Sequence, residues 1–110
     1  TRRSKGAILE AIADEALRSR RFPGIAFKGS DVDRRAWLIG TGLDVWEVIQ
    51  ALQDFSSEQA MASQTDLTEP QISVCVAYHK EFPEEIDRAI AENRLPLHEL
   101  RRRYPHVPVV

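Results

Sequence analysis

The sequence predicts a mostly helical domain: a short N-terminal β-hairpin followed by a helix-turn-helix-like helical bundle, expected to be dimeric. Three observations carry this expectation. Apolar residues recur at three- and four-residue steps through most of residues 5–20 and 44–93. One window, 24–39, alternates apolar and polar residues instead. Gly-rich or Pro-containing breaks separate these stretches at 22–24, 40–42 and 82–83.

Taken in order, Ser4 caps a first helix over about residues 5–20, with Ile8, Ile12 and Ala16 four apart and Leu9, Ala13 and Leu17 beside them, a wide apolar stripe. Phe22-Pro23-Gly24 ends it. Ile25 and Phe27 alternate within a strand from Gly24 to Gly29, Ser30–Asp33 turns, and Arg34–Ile39 returns with Trp37. Two strands alone are marginal in water, so the hairpin must pair across a dimer or pack on helices. Ile25, Phe27, Trp37 and Ile39 are the expected dimer-interface residues.

Gly40-Thr41-Gly42 punctuates the chain, and Asp44 caps the next helix, whose face is Val45, Val48, Ile49 and Leu52. Ser56 opens a short helix of about 57–64 carrying Ala60 and Met61. Thr65-Asp66-Leu67 breaks it, and Thr68 caps a helix reaching Glu81, with Pro70 tolerated in its first turn and Ile72, Cys75, Val76 and His79 at helical spacing. Phe82-Pro83 is the last internal break, before a helix of about 84–93 with Ile86, Ala89 and Ile90 inward. Leu95–Val110 holds a turn of helix at His98–Arg103 and an extended tail from Tyr104. The expected organisation is therefore residues 1–23 as a helix whose stripe either packs on its own domain or links to an upstream one, 24–93 as the helical domain with its hairpin, and 94–110 as a basic and apolar tail. The chain begins with Thr1 rather than Met, in keeping with a piece of a longer protein.

Composition narrows the class. The 110 residues, 43% of them apolar, suffice for one domain with a modest core. No apolar run approaches the ~20 residues a membrane span needs, and no apolar signal core follows the basic start. The single cysteine, Cys75, fits a reducing compartment, and a cytoplasmic location is expected. The net charge of −2 is unevenly spread: +4 over residues 1–35, −9 over 36–93 and +3 over 94–110.

The parts of an enzyme are not recognisable. No Gly-rich phosphate loop and no nucleophile motif occurs. Glu84, Glu85 and Asp87 sit where acids meet the positive end of a helix dipole, which explains them without catalysis. His79, His98 and His106 are far apart in sequence, and Cys75 with His79 makes only a four-residue pair, short of the three or four ligands a metal requires. No cofactor is expected. The succession of helices over 44–80 has helix-turn-helix spacing, and the last helix offers Gln71, His79 and Lys80 as DNA-contacting candidates. The surrounding charge of −9 opposes DNA, so the arrangement is better read as a scaffold. Arg18, Arg20 and Arg21 are read as a solvated basic helix end, and Trp37 and Trp46 as core or interface residues.

Four pieces, in order, resemble a known bacterial family. Gly40-Thr41-Gly42-Leu43-Asp44-Val45-Trp46-Glu47-Val48 is similar to its "G-T-R-I-x-V-x-x-V" opening, and Ser56-Ser57-Glu58-Gln59-Ala60 to its "S-x-E-x-I" helix start. Asp66-Leu67-Thr68 resembles its "x-L-T" turn, and Val76-Ala77-Tyr78 with Pro83-Glu84-Glu85-Ile86-Asp87 its "L-A-Y … P-E-E-I-D" close. The family is the domain of unknown function numbered 433, which is antitoxin-like, and the likeness covers about residues 24–93. Gly42, Ala60 and Thr65 depart from its usual Arg, Ile and Pro. The resemblance implies a homodimeric helix-turn-helix protein paired with a ribonuclease toxin, in the style of the VapB antitoxins. The tail is then the expected toxin-binding segment, with Leu95, Leu97, Leu100 and Tyr104 supplying contact area and Arg101, Arg102 and Arg103 reaching the toxin's carboxylates. DNA contact through Gln71, His79 and Lys80, or through an upstream segment, is the alternative function.

Overall fold

The computed structural model describes residues 4–30 and 33–93. Helix α1 spans Lys5–Arg21, opened by Ser4, whose hydroxyl accepts the Ala7 N–H at 3.1 Å. It closes at Phe22, and Gly24 (φ +99°) makes the left-handed turn into the sheet, a conformation that a side chain would strain. Strand β1 (Ile25–Lys28) pairs antiparallel with β2 (Arg35–Leu38), Ile25 opposite Leu38 and Lys28 opposite Arg35. The hairpin therefore forms where alternation predicted it, one residue shorter at each strand end.

A third strand was not expected. β3 (Leu43–Asp44) pairs with the other edge of β2, giving the order β1-β2-β3. The return is made within Gly40-Thr41-Gly42, where Thr41 Oγ1 donates to the Leu38 carbonyl at 2.8 Å and accepts the Leu43 N–H at 3.0 Å. A two-residue strand has no periodicity to read.

Four helices follow: α2 (Val45–Leu52), α3 (Glu58–Gln64), α4 (Glu69–Glu81) and α5 (Pro83–Asn93). Ser57 rather than Ser56 caps α3, its hydroxyl accepting the Ala60 N–H at 3.0 Å. Thr68 caps α4 as expected, and Gln71 closes the box by accepting the Thr68 N–H at 2.8 Å. Helix makes up 64% of the described structure, so the fold is mostly α with a small antiparallel sheet. None of the described helices is long and apolar enough to cross a membrane.

The core lies between the sheet and α2–α5. Ile25 and Leu38 enter it from the sheet, Val45, Val48 and Ile49 from α2, Met61 from α3, and Ile86 from α5. From α4 the buried residues are Ile72, Cys75 and Tyr78, while Val76 and His79 are only half-buried. The three-residue step brings a tyrosine inward where Val76 and His79 were expected. Its ring stacks edge-on against Phe22 at 5.2 Å and lies 4.8 Å from Phe82.

Helix α1 is the least buried of the helices. None of its residues is buried; Leu9, Ile12 and Leu17 are 66%, 57% and 59% exposed. The apolar stripe faces away from the domain, and α1 meets the sheet and α4–α5 with its other side. Core and stripe should therefore respond differently to truncation. Ile72→Ala should cost about 2–5 kcal/mol in chemical denaturation, because it empties a fully buried site. Leu9→Ala should change stability by less than ~0.5 kcal/mol.

Candidate functional site

Two polar clusters and one apolar face stand out from the fold. The first cluster joins α1 to α4 and α5. The Tyr78 hydroxyl donates to Glu85 Oε2 at 2.6 Å and accepts from Arg18 Nη1 at 2.8 Å, while the same guanidinium nitrogen reaches Glu85 Oε1 at 2.9 Å. Arg18 also lies over the Phe82 ring at 3.7 Å. Its Nε is 2.9 Å from Asp14 Oδ2, an ion pair without hydrogen-bond alignment, so that N–H remains unsatisfied. Burial lowers the proton affinity of Arg18, but its bonds to Glu85 and Tyr78 outweigh this and hold it above the ordinary value. For Tyr78, burial and the bond to Glu85 push the phenol well above its ordinary value despite Arg18. Glu81 with Arg21 at 3.3 Å, and Glu15 with Arg34 at 2.7 and 3.0 Å, extend the tether along α1.

The second cluster centres on Asp44, the N-cap of α2 and a buried acid. Its Oδ2 forms an ion pair with Arg35 Nε at 2.8 Å and accepts from Trp46 Nε1 at 3.2 Å, and Lys28 Nζ lies 3.4 Å from Oδ1. Glu47 accepts the Asp44 N–H at 2.9 Å. Lys28 also sits 4.9 Å from the Trp37 ring. One carboxylate thus ties all three strands to α2. Sequence reasoning placed Asp44 as a cap but had no signal for its basic partners, which come from strands before it.

The expected site residues are scattered. Of the four proposed for a dimer interface, Ile25 is buried in the chain's own core, Phe27 packs within 6.4 Å of Tyr78, and Trp37 is half-buried. Ile39 is 51% exposed. On α4, the Gln71 side chain is engaged in capping, His79 Nε2 lies 2.8 Å from Asp87 Oδ1, and Lys80 is exposed. Glu85 belongs to the Arg18 cluster, so the acids at the start of α5 are not a matched pair. Cys75 is buried and its thiol is pushed up to about 12, so it is held as a neutral core residue. Leu95, Leu97, Leu100, Arg101, Arg102, Arg103 and Tyr104 lie outside the described residues. Among the described residues no three His, Cys, Asp or Glu side chains are grouped to hold a metal. A cleft of about 310 Å³ between the hairpin and α5 is walled by Arg35, Trp46, Arg88 and Glu92, with charges of both signs.

The apolar face is the outward side of α1. At 100° per residue, one half-circle of the helix carries Ile8, Leu9, Ile12, Ala13, Ala16 and Leu17 together with Lys5, Ser19 and Arg20, and no acid. The stripe was legible in the sequence; the side of the domain it would face was not.

Two of the core groups, Tyr78 and Cys75, bind a proton more tightly folded than unfolded. The stability these two groups contribute is present in full below about pH 9 and is lost as pH rises from 9.0 toward about 12, as the unfolded thiol and phenol ionise first. In a Tyr104→Phe background, absorbance at the phenolate band should stay flat past pH 10 and rise only with unfolding. Tyr78→Phe should cost about 1 kcal/mol, and Glu85→Ala about 1–3 kcal/mol because it strands the Tyr78 hydroxyl and part of Arg18, both measurable by urea denaturation.

Comparison with known proteins gives no match: no family model, curated protein or solved structure is significantly similar to this chain.

Proposed function

We propose that this chain is the dimerising and partner-binding domain of an antitoxin-like regulator, which binds and neutralises a ribonuclease-type toxin. The observation that carries it is the outward face of α1, where Leu9, Ile12 and Leu17 stand in solvent beside the half-circle's small residues. A folded chain that leaves such a row exposed has a surface suited to another macromolecule. The ordered resemblance over residues 24–93 supplies the class of partner, and the basic, apolar segment 95–104 remains the reach toward the toxin's carboxylates. The exposed Ile39 at the end of β2 is the hairpin residue best placed for self-association. The reading is of binding rather than catalysis: the Arg18–Glu85 and Arg35–Asp44 pairs serve as ties between elements, and a cytoplasmic setting suits the lone buried thiol.

DNA contact through a helix-turn-helix made by α3 and α4 has weaker support. Gln71 and His79 are engaged within the chain, and Lys80 is flanked by Glu81. DNA contact in the full regulator is assigned to a segment outside this chain.

Light scattering on the purified chain, alone and with the protein encoded by the adjacent gene, tests the proposal. The expected result is twice the 12.5 kDa chain mass alone and a stable heteromeric complex with the neighbour. That complex should suppress the neighbour's ribonuclease activity and be lost on deleting residues 95–110. A monomer indifferent to the neighbour would sink it.

A further inference from the structure

We infer that the outward face of α1 is a docking strip for an acidic amphipathic helix of the partner protein. The inference rests on the partner-binding proposal and names what the partner brings to this face. Its centre is apolar, with Leu9, Ile12 and Leu17 exposed and Ala13 and Ala16 between them. Small residues interleaved with large ones let a second helix approach closely enough to seat its own apolar ridge. The strip's two formal charges, Lys5 and Arg20, are both positive and both exposed, one at each end. Neither pairs with an acid among the described residues, whereas Arg18 and Arg21, on the inner side, are paired with Asp14, Glu85 and Glu81. Fifteen residues of helix separate Lys5 from Arg20, about 22 Å at 1.5 Å per residue.

This layout selects among occupants. A second copy of α1 meets like charges in either direction. Parallel pairing sets Lys5 against Lys5 and Arg20 against Arg20, and antiparallel pairing sets Lys5 against Arg20 at both ends. A helix with an apolar stripe and a carboxylate near each end satisfies both cations while covering the row between them. Recognition is then of the helix-in-groove kind, with Leu9, Ile12 and Leu17 as anchors and the end charges fixing register.

The test uses two synthetic peptides of about 18 residues with the same leucine stripe, one with Glu at the flanking positions and the other with Lys. Binding to the full chain is read by fluorescence anisotropy. The Glu peptide should bind at least ten-fold more tightly than the Lys peptide, with the gap shrinking as salt rises. The double variant Lys5→Glu/Arg20→Glu should reverse the preference. Leu9→Ser/Ile12→Ser should abolish binding of both while leaving the urea midpoint within error, which separates a lost surface from a lost fold. Equal binding of the two peptides, or none, overturns the strip, as does self-association of the chain that Leu9→Ser abolishes. The toxin measurement is independent. A chain that binds the Glu peptide but no toxin keeps the strip and sinks the toxin assignment; one that binds toxin but neither peptide sinks the strip alone.

Discussion

Tyr78 stands where four parts of the chain meet. Its ring is fully buried from the fourth helix against Phe22 at the end of the first, Phe27 of the hairpin and Phe82 before the fifth. Its hydroxyl cannot be buried unbonded without a penalty, and the surroundings supply both a base and a cation in Glu85 and Arg18. The same residue thus fills the core and directs the polar contacts that place α1. Because α1 buries no side chain of its own, its position depends on this junction and on the Glu15–Arg34 and Arg21–Glu81 pairs. A helix held chiefly by its inner polar edge keeps its apolar edge for other uses.

The uneven charge of the sequence has an internal explanation. The excess of Lys and Arg in residues 1–35 meets the excess of Asp and Glu in 36–93 across several pairs: Arg18–Glu85, Arg21–Glu81, Lys28–Asp44 and Arg35–Asp44. Exposed pairs of this kind contribute little each. Asp44 differs, since it is buried and its negative charge requires the cations that the strands provide. The N-terminal helix is thus tied electrostatically to the rest of the domain. The acids so engaged are also less available to repel or attract a partner than the raw count of −9 implies.

Fold alone assigns no activity to a small helical domain. What distinguishes this one is where it spends its polar groups and where it leaves apolar ones. Both polar clusters join secondary-structure elements to one another. The exposed row on α1 is the feature that its own folding does not account for, and a binding role accounts for it at little cost in stability.

Local chemistry marked most element ends. Ser4, Thr68 and the Phe-Pro breaks set helix ends because capping and proline chemistry act within a few residues, and alternation at 24–39 marked the hairpin. Contacts between distant parts of the chain set the rest. The two-residue strand β3 exists because Gly40 and Gly42 return the chain onto an existing edge, which no local pattern encodes. Tyr78 turned inward because Phe22 and Phe27, from distant segments, enclose it together with Phe82 at the end of its own helix. Asp44 became a hub because Lys28 and Arg35 reach it from strands that precede it. The direction of the α1 stripe was undecidable from periodicity, since a period of 3.6 fixes which residues share a face and says nothing about what that face meets.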